Sequence, residues 1–226
     1  MSGHLNPGGQ QFRDDDGTAD PRVTEALAAY HAGQGSEQDA LAALAAARLL
    51  VPVVAVLADG SAADGDKNSE MVLPTLIGRD GRPAVLAFTG LDALARWRPD
   101  ARPVPAEADR VWRAAVADGC AVVIDVAGPV PLAVEGARLA ALAAGQPVPP
   151  PHEDPDVRAE VQAAVAAEPA IAKFSLSPGT RDLAVTLHLS RPGVADWGPA
   201  VNRAAAGIAA RLGARLRRGI EVVIAE

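Results

Sequence analysis

Two polar residues end apolar segments of the sequence, at the kind of position where many sheets bind ligands. Thr89 closes the apolar run 83–89, and Asp125 lies at the end of the apolar run 121–126, beside the turn at Gly128-Pro129. Because ligands of α/β sheets often bind at strand ends, Thr89 and Asp125 are candidate contacts for a small molecule. An Asp beside a turn also commonly caps that turn through its own backbone, and this second interpretation is favoured for Asp125.

A second group of polar residues lies near the end of the sequence. Within residues 172–190, two segments alternate apolar and polar side chains, which predicts two strands with one buried and one solvated face. Lys173, Thr186 and His188 fall on the polar face, and His188 is expected to pair with Lys173 or Ser175 across the sheet. This face is either simply solvated, which is favoured, or a surface that binds another protein.

The loop at residues 60–75 imitates two ligand-binding motifs without completing either. In a calcium loop that starts at Asp64, Ser69 stands where the sharp turn needs Gly, and Thr75 stands where a bidentate Glu is needed. In a phosphate loop, the lysine must directly follow the second glycine, but here Asp66 separates them and places a negative charge where the phosphates would bind. A solvated loop is therefore expected.

The sequence also lacks the residue patterns of common catalytic and metal sites. No Ser stands in a Gly-x-Ser-x-Gly turn, and Cys120, the single cysteine, is expected to be a small buried residue. The four histidines, His4, His31, His152 and His188, are widely separated, so none has a second histidine at metal-binding spacing. We therefore expect no enzymatic activity, no metal and no cofactor.

Composition excludes several classes of protein. The 226 residues carry a net charge of −7, and 49% are apolar although only 3% are aromatic. Residues 1–150 contain 19 acidic and 12 basic residues, which argues against a nucleic-acid-binding surface in that part of the chain. No apolar stretch is long enough for a transmembrane helix, and the first residues do not resemble a signal peptide. These features predict a cytoplasmic bacterial protein with neither a nucleic-acid nor a membrane partner.

Hydrophobic periodicity predicts helices and short strands along the chain. Asp20-Pro21 and Ser36 with Asp39 are typical helix starts. The pair Asp80-Gly81 between two apolar runs is typical of a β-hairpin. A long helix is predicted over residues 197–218.

Three arginines, Arg211, Arg215 and Arg218, lie together on one flank of that predicted last helix. A basic amphipathic helix can bind anionic lipid or nucleic acid. A structural role is favoured here, because the apolar stripe of the helix is needed to cover the neighbouring strands.

The predicted fold class is α+β, with two small domains that each pack helices against a mixed or antiparallel-rich sheet. Five prolines within residues 146–156 predict a semi-rigid linker between them. The predicted organisation is a mobile tail and leading helix at 1–35, a domain at 36–146, the linker at 147–156, and a domain at 157–226 with the order helix–strand–strand–helix–strand.

Three phrases of the sequence resemble a known family. They are LLVPVVAVL from residue 49, KNSEMVLPTLIGRDGRPAVLAFTGLDALARWRPDARPVPAEA from residue 67, and DGCAVVIDVAGPVPLAV from residue 118. Their order is similar to that of the SseB-like N-terminal domain of bacteria, especially its actinobacterial form, and residues 157–226 resemble the C-terminal domain that often accompanies it. One departure is Val126, where related sequences commonly have Pro. The resemblance implies a two-domain α+β protein of the bacterial cytoplasm and supplies no catalytic residues.

Two functions remain open from the sequence. The first is a non-enzymatic protein-interaction or regulatory protein whose partner is another protein; it follows from the missing catalytic pattern and the polar strand faces. The alternative is an enzyme or a protein that binds a small metabolite near the Thr89 and Asp125 strand ends. That alternative requires a pocket with several converging polar groups.

Overall fold

A computed structural model of the chain describes residues 12, 15–56, 70–72, 75–78, 81–190 and 197–225. The chain forms two compact units. The first contains residues 1–25 and 43–146, and the second contains residues 26–42 and 147–226. The predicted domain boundaries remain a prediction, and the grouping of the segment 26–42 with the last residues of the chain was not expected from the sequence.

The first two helices begin at the residues that the sequence predicted. Helix α1 spans Pro21–His31 and α2 spans Glu37–Ala45. The Arg22 N–H donates to Asp20 Oδ1 at 2.8 Å. The Asp39 N–H donates to Ser36 Oγ at 3.1 Å, while the Ser36 N–H donates to Asp39 Oδ2 at 3.2 Å. These bonds satisfy backbone donors that have no partner inside the helix, so both predicted starts are confirmed.

Seven strands and three helices follow among the described residues of the range 43–146. They are β1 (Arg48–Val56), β2 (Glu70–Val72), β3 (Thr75–Ile77), β4 (Pro83–Ala87), α3 (Leu91–Trp97), β5 (Arg102–Glu107), α4 (Ala108–Ala117), β6 (Ala121–Ile124), β7 (Leu132–Val134) and α5 (Gly136–Ala143). One sheet has the strand order β2-β1-β5, with both pairs antiparallel. The sequence did not predict β5, because Pro103 and Pro105 cannot donate to a ladder. Both are tolerated because β5 is an edge strand of its sheet.

The other sheet of the first unit has the strand order β3-β4-β6-β7. Strands β3 and β4 form the predicted hairpin, with Gly81 at a positive φ of 78° in the turn. Strands β4 and β6 are parallel and adjacent, and the chain between them passes through α3, β5 and α4. This parallel pair brings the ends of β4 and β6 to the same edge of the sheet.

In its described residues, the second unit contains a three-stranded sheet and two further helices. Its elements are α6 (Pro155–Val165), β8 (Ile171–Ser177), β9 (Leu183–Leu189), α7 (Trp197–Leu212) and β10 (Ile220–Ala225). The strand order is β10-β9-β8; β9 is antiparallel to β8 and parallel to β10. The predicted helix over 197–218 is too long: α7 ends at Leu212, just before Gly213.

One face of this sheet packs against both helices. The alternate β9 side chains Leu183, Val185 and Leu187 are fully buried, and they share a core with Val161 of α6 and Ile208 of α7. Because side chains alternate along a strand, Thr186 and His188 point to the opposite face. The two units together confirm the predicted α+β class. No described helix combines the length and apolar character needed to cross a bilayer.

Candidate functional site

Thr89 and Asp125 meet at the edge where β4 and β6 end. The Thr89 N–H donates to Asp125 Oδ1 at 2.8 Å, and the Thr89 hydroxyl donates to Asp125 Oδ2 at 2.7 Å. Both residues are buried, with relative exposures of 7% for Thr89 and 6% for Asp125. The two carboxylate oxygens therefore each accept a bond from the neighbouring strand end, and the pair links two strands that hydrogen-bond side by side.

The backbone around Asp125 differs from the turn cap that the sequence favoured. The Gly128 N–H donates to the Asp125 carbonyl oxygen at 2.7 Å, so the turn closes on the backbone while the carboxylate binds Thr89. Asp125 has a positive φ of 48°, a conformation that is uncommon for residues other than glycine. A Cβ at Gly128 would lie 2.9 Å from the Asp125 Cβ, so the turn requires glycine at that position.

Burial raises the pKa of the Asp125 carboxyl above its ordinary value. The two hydrogen bonds from Thr89 and the positive charge of Arg96 act in the opposite direction, because they stabilise the carboxylate, but burial outweighs them. Groups with shifted pKa values occur often at functional sites, but structural networks also shift pKa values. At Asp125, both carboxylate oxygens bind Thr89 of the neighbouring strand end. A structural role in joining β4 and β6 therefore explains the buried carboxyl without a ligand.

Residues 15–19 lie against the backbone that follows β4. Arg48 Nη1 donates to the Thr89 carbonyl oxygen at 3.0 Å, Arg48 Nε lies 2.8 Å from Asp15 Oδ2, and Arg48 Nη2 donates to the Thr18 carbonyl oxygen. A Cβ at Gly90 would lie 2.8 Å from the Ala19 nitrogen. This close packing, together with the Thr89–Asp125 bonds, leaves the polar groups at the strand ends paired within the fold.

In the sheet of the second unit, β10-β9-β8, the face that α6 and α7 leave open carries Lys173, Thr186 and His188. In the strand register Lys173 lies opposite His188, and Ser175 lies opposite Thr186. His188 Nε2 is 3.4 Å from Ser175 Oγ, so of the two cross-strand partners predicted for His188, the structure places Ser175 within hydrogen-bonding distance. Lys173 is exposed and has no ion-pair partner among the described residues.

The open face has a limit at one end. Ala184 is buried beneath Gly179, and the carboxylate of Glu221 accepts bonds from the Thr180 hydroxyl and the Arg181 N–H. The loop between β8 and β9 therefore covers the cross-strand row Ser177–Ala184–Glu221, which is the row nearest to it. The rows that remain open are Lys173–His188–Ala225 and Ser175–Thr186–Val223.

A buried ionic cluster in the second unit was missed by the sequence analysis. Arg215 Nε lies 2.7 Å from Glu37 Oε2, and Arg215 Nη2 lies 2.5 Å from Asp154 Oδ2. Relative side-chain exposure is 13% for Arg215, 2% for Glu37 and 0% for Asp154. Burial disfavours the charge of Arg215, but the two carboxylates outweigh burial and raise its pKa. The Tyr30 hydroxyl also donates to the Arg215 carbonyl oxygen at 2.8 Å.

The three arginines predicted on one flank of the last helix each have acidic partners. Arg211 Nη1 lies 2.9 Å from Glu160 Oε2, and the Arg218 N–H donates to Asp182 Oδ2 at 2.8 Å. Arg215 and Arg218 lie after the end of α7, so the three do not form one helical stripe. The signal that could have located the cluster is Asp154-Pro155, a helix start whose carboxylate also accepts from the Asp156 N–H.

The remaining sequence motifs supply no further site. The calcium-like and phosphate-like patterns fall mainly on residues 57–69, outside the described residues. Within the described parts of the chain, no three His, Cys, Asp or Glu side chains are grouped so that they could hold a metal. Cys120 is half-buried, so the expectation of a buried residue is wrong. Its partial burial, and next the neighbouring Asp118 carboxylate, raise the pKa of its thiol, which is the opposite of the shift that activates a nucleophilic cysteine.

Comparison with known proteins identifies one related domain. Residues 23–141 match the family model described as SseB protein N-terminal domain. The match covers 119 of the 226 residues, which is more than half of the chain, and its description names a domain and no activity. No curated protein and no solved structure matches the chain.

Proposed function

The chain belongs to the SseB family, and we propose that it is a non-enzymatic cytoplasmic protein. In this proposal it binds another protein through the open face of the β10-β9-β8 sheet. The observation that carries this proposal is the exposed position of Lys173 beside His188, on the face of the β10-β9-β8 sheet opposite the one that the described helices α6 and α7 cover. Side chains that are exposed and not paired within the described residues remain free to bind a partner.

The chemistry of this face favours a partner that presents carboxylates. Lys173 supplies an ammonium group, and Ser175, Thr186 and His188 add hydrogen-bonding groups within two rows of the sheet. Among the described residues of the three strands, the one acidic side chain on this side is that of Glu221, and it is bonded to the neighbouring loop. Complementary charge at such a surface contributes mainly to specificity and to the rate of association.

The alternative function has less support. A small-molecule site at the β4 and β6 ends would need Thr89 and Asp125 as donors and acceptors, but their side chains already bind each other. Arg48 in turn binds the Thr89 carbonyl oxygen. A ligand would have to replace these bonds rather than add to them. A thermal-shift screen with amino acids and nucleotides tests this alternative, because a ligand that binds the native state raises its melting temperature.

Charge reversal at Lys173 tests the proposed function. We expect Lys173→Glu to weaken binding of the native partner about tenfold, the change that corresponds to about 1.4 kcal/mol. The measurement is quantitative mass spectrometry of proteins that co-purify with the chain under mild conditions. Arg102→Glu is the matched control, because Arg102 is an exposed strand arginine of the first unit. The proposal fails if no specific protein is recovered, or if every recovered protein binds all three forms equally.

A further inference from the structure

The two edge strands of the β10-β9-β8 sheet differ in how well they are protected from pairing with another strand. Strand β8 has an irregular register between Ile171 and Lys173 and carries the charge of Lys173. Bulges and lysines are the devices by which proteins keep edge strands from pairing with other strands. Strand β10 has a regular register against β9 along its whole length and carries neither device.

Strand β10 is also apolar where it is exposed. Its sequence is IEVVIA, and Val223 and Ile224 have relative exposures of 48% and 52%. Strand β9 pairs with one side of β10, and none of the described residues forms a strand on the other side. An unprotected apolar edge of this kind is a template for one more strand.

From these features we infer that β10 pairs in antiparallel fashion with β10 of a second copy of this chain, giving a two-fold symmetric dimer with one continuous six-stranded sheet. The order of strands would be β8-β9-β10 followed by β10-β9-β8 of the second copy. In a two-fold dimer each copy contributes the same surface, so the strand must be complementary to itself.

Self-complementarity selects the register of this pairing. Val222 lies opposite Val185 and Ile224 lies opposite Leu187, so Val222 and Ile224 share the helix-covered side of the sheet. In an antiparallel pair, residues that lie opposite each other point to the same face of the sheet. The helices of both copies therefore lie on the same side of the joined sheet only if even-numbered residues of one β10 pair with even-numbered residues of the other. A register centred on Val223 meets this condition: Val223 lies opposite its own copy, and Val222 lies opposite Ile224, so both exposed apolar side chains become covered.

The charges of β10 are compatible with the same register. Glu221 would lie opposite Ala225 of the second copy, and the two Glu221 residues would be four positions apart along the strand direction, about 13 Å at 3.3 Å per residue. This distance exceeds the screening length of about 8 Å at physiological salt. The Glu221 carboxylate is moreover bonded to Thr180 and Arg181 within its own chain, so the pairing places no free like charges in contact.

The expected dimer is weak and reversible. Interfaces below about 1,200 Å² generally belong to transient complexes, and one pair of six-residue strands belongs to this class. The dimer would join the two open sheet faces into one surface that presents Lys173 and His188 twice. The inference does not depend on the proposed partner, since self-association is measured on the purified chain alone.

Sedimentation equilibrium of the full chain over about 5–500 μM tests the inference. We expect the average mass to rise from monomer toward dimer, and we expect Val223→Lys to remain monomeric, because the substitution places two ammonium groups opposite each other. Ser175→Lys, a matched substitution on the β8 edge, should associate like the parent. A parent chain that is monomeric throughout, or a Val223→Lys chain that dimerises like the parent, overturns the inference. Association that Ser175→Lys abolishes and Val223→Lys leaves intact would place the interface at β8 and overturn it equally.

A cysteine variant tests the register without adding charge. In a Cys120→Ser background, Val223→Cys should form an intermolecular disulfide with oxidised glutathione as the oxidant, because the two residues face each other across the symmetry axis. Ser175→Cys should remain largely monomeric under the same conditions. Equal crosslinking of the two variants would contradict the β10 pairing.

Discussion

Replacement of Arg215 by alanine is expected to destabilise the second unit by about 3–5 kcal/mol, because it removes the guanidinium that contacts the buried carboxylates of both Glu37 and Asp154. Glu37 and Asp154 have side-chain exposures of only 2% and 0%, so in the parent their charges are stabilised by the guanidinium rather than by solvent. The measurement is hydrogen exchange of the buried β9 amides in the full chain, which reports the free energy of opening for this unit.

Two further variants separate the buried cluster from ordinary surface charge. Arg211→Ala removes an ion pair with Glu160 in which both side chains are 45% exposed, and we expect it to cost less than about 1 kcal/mol. Glu37→Gln combined with Arg215→Ala removes one of the two buried carboxylate charges and should recover part of the lost stability. Equal losses for Arg211→Ala and Arg215→Ala would show that the cluster contributes no more than a surface pair.

Replacement of Asp125 by alanine is expected to destabilise the first unit by about 2–4 kcal/mol. The change leaves the buried N–H and hydroxyl of Thr89 without acceptors, and each unpaired buried group costs about 1–3 kcal/mol. Alanine is also less tolerant than Asp or Asn of the positive φ of 48° at this position. Asp125→Asn is the matched control: its amide oxygen can accept from the Thr89 N–H, so it should remain within about 1 kcal/mol of the parent at neutral pH.

The pH dependence of the free energy of unfolding distinguishes the titrating carboxyl of the parent from the neutral amide of the Asp125→Asn variant. Because burial raises the pKa of Asp125 in the folded state, the folded chain binds its proton more tightly than the unfolded chain does. Stability contributed by this protonation is complete below the unfolded pKa and is lost as the pH rises through the folded pKa. Relative to Asp125→Asn, the parent should therefore lose free energy of unfolding as the pH rises through that range.

Urea unfolding of the parent and of the Asn and Ala variants, at pH values between about 4 and 8, measures both effects. A difference between parent and Asn variant that does not change with pH would contradict the burial of a titrating carboxyl. An Ala variant as stable as the Asn variant would contradict the role of the hydrogen bonds to Thr89.

Helix starts and the hairpin could be predicted because their signals are local. Asp20, the pair Ser36 and Asp39, and Gly81 each act on backbone within a few residues, so the neighbouring sequence contains all that is needed. Strand β5 could not be predicted. Its two prolines are acceptable only because tertiary structure places the strand at a sheet edge, and edge position is not a property of the segment itself.

The candidate site residues also divide into those that a local pattern could place and those whose contacts join distant parts of the chain. Alternation along residues 172–190 correctly placed Thr186 and His188 on the side opposite the buried leucines and valine, because a period of two is a local property of a strand. The partners of Asp125 and Arg215 are 36 and 178 residues away from them in the chain. No local pattern could identify these partners.

The fold class, most helices and strands, and the membership of the family through residues 23–141 can be inferred from local sequence, since each depends on nearby residues and their order. Three features depend instead on how the chain folds: Asp125 binds Thr89, Arg215 is buried between Glu37 and Asp154, and β10 is an unprotected edge. The physical reason is that hydrogen bonds and ion pairs depend on distances of about 3 Å between atoms, and chain folding sets those distances between residues that the sequence keeps far apart.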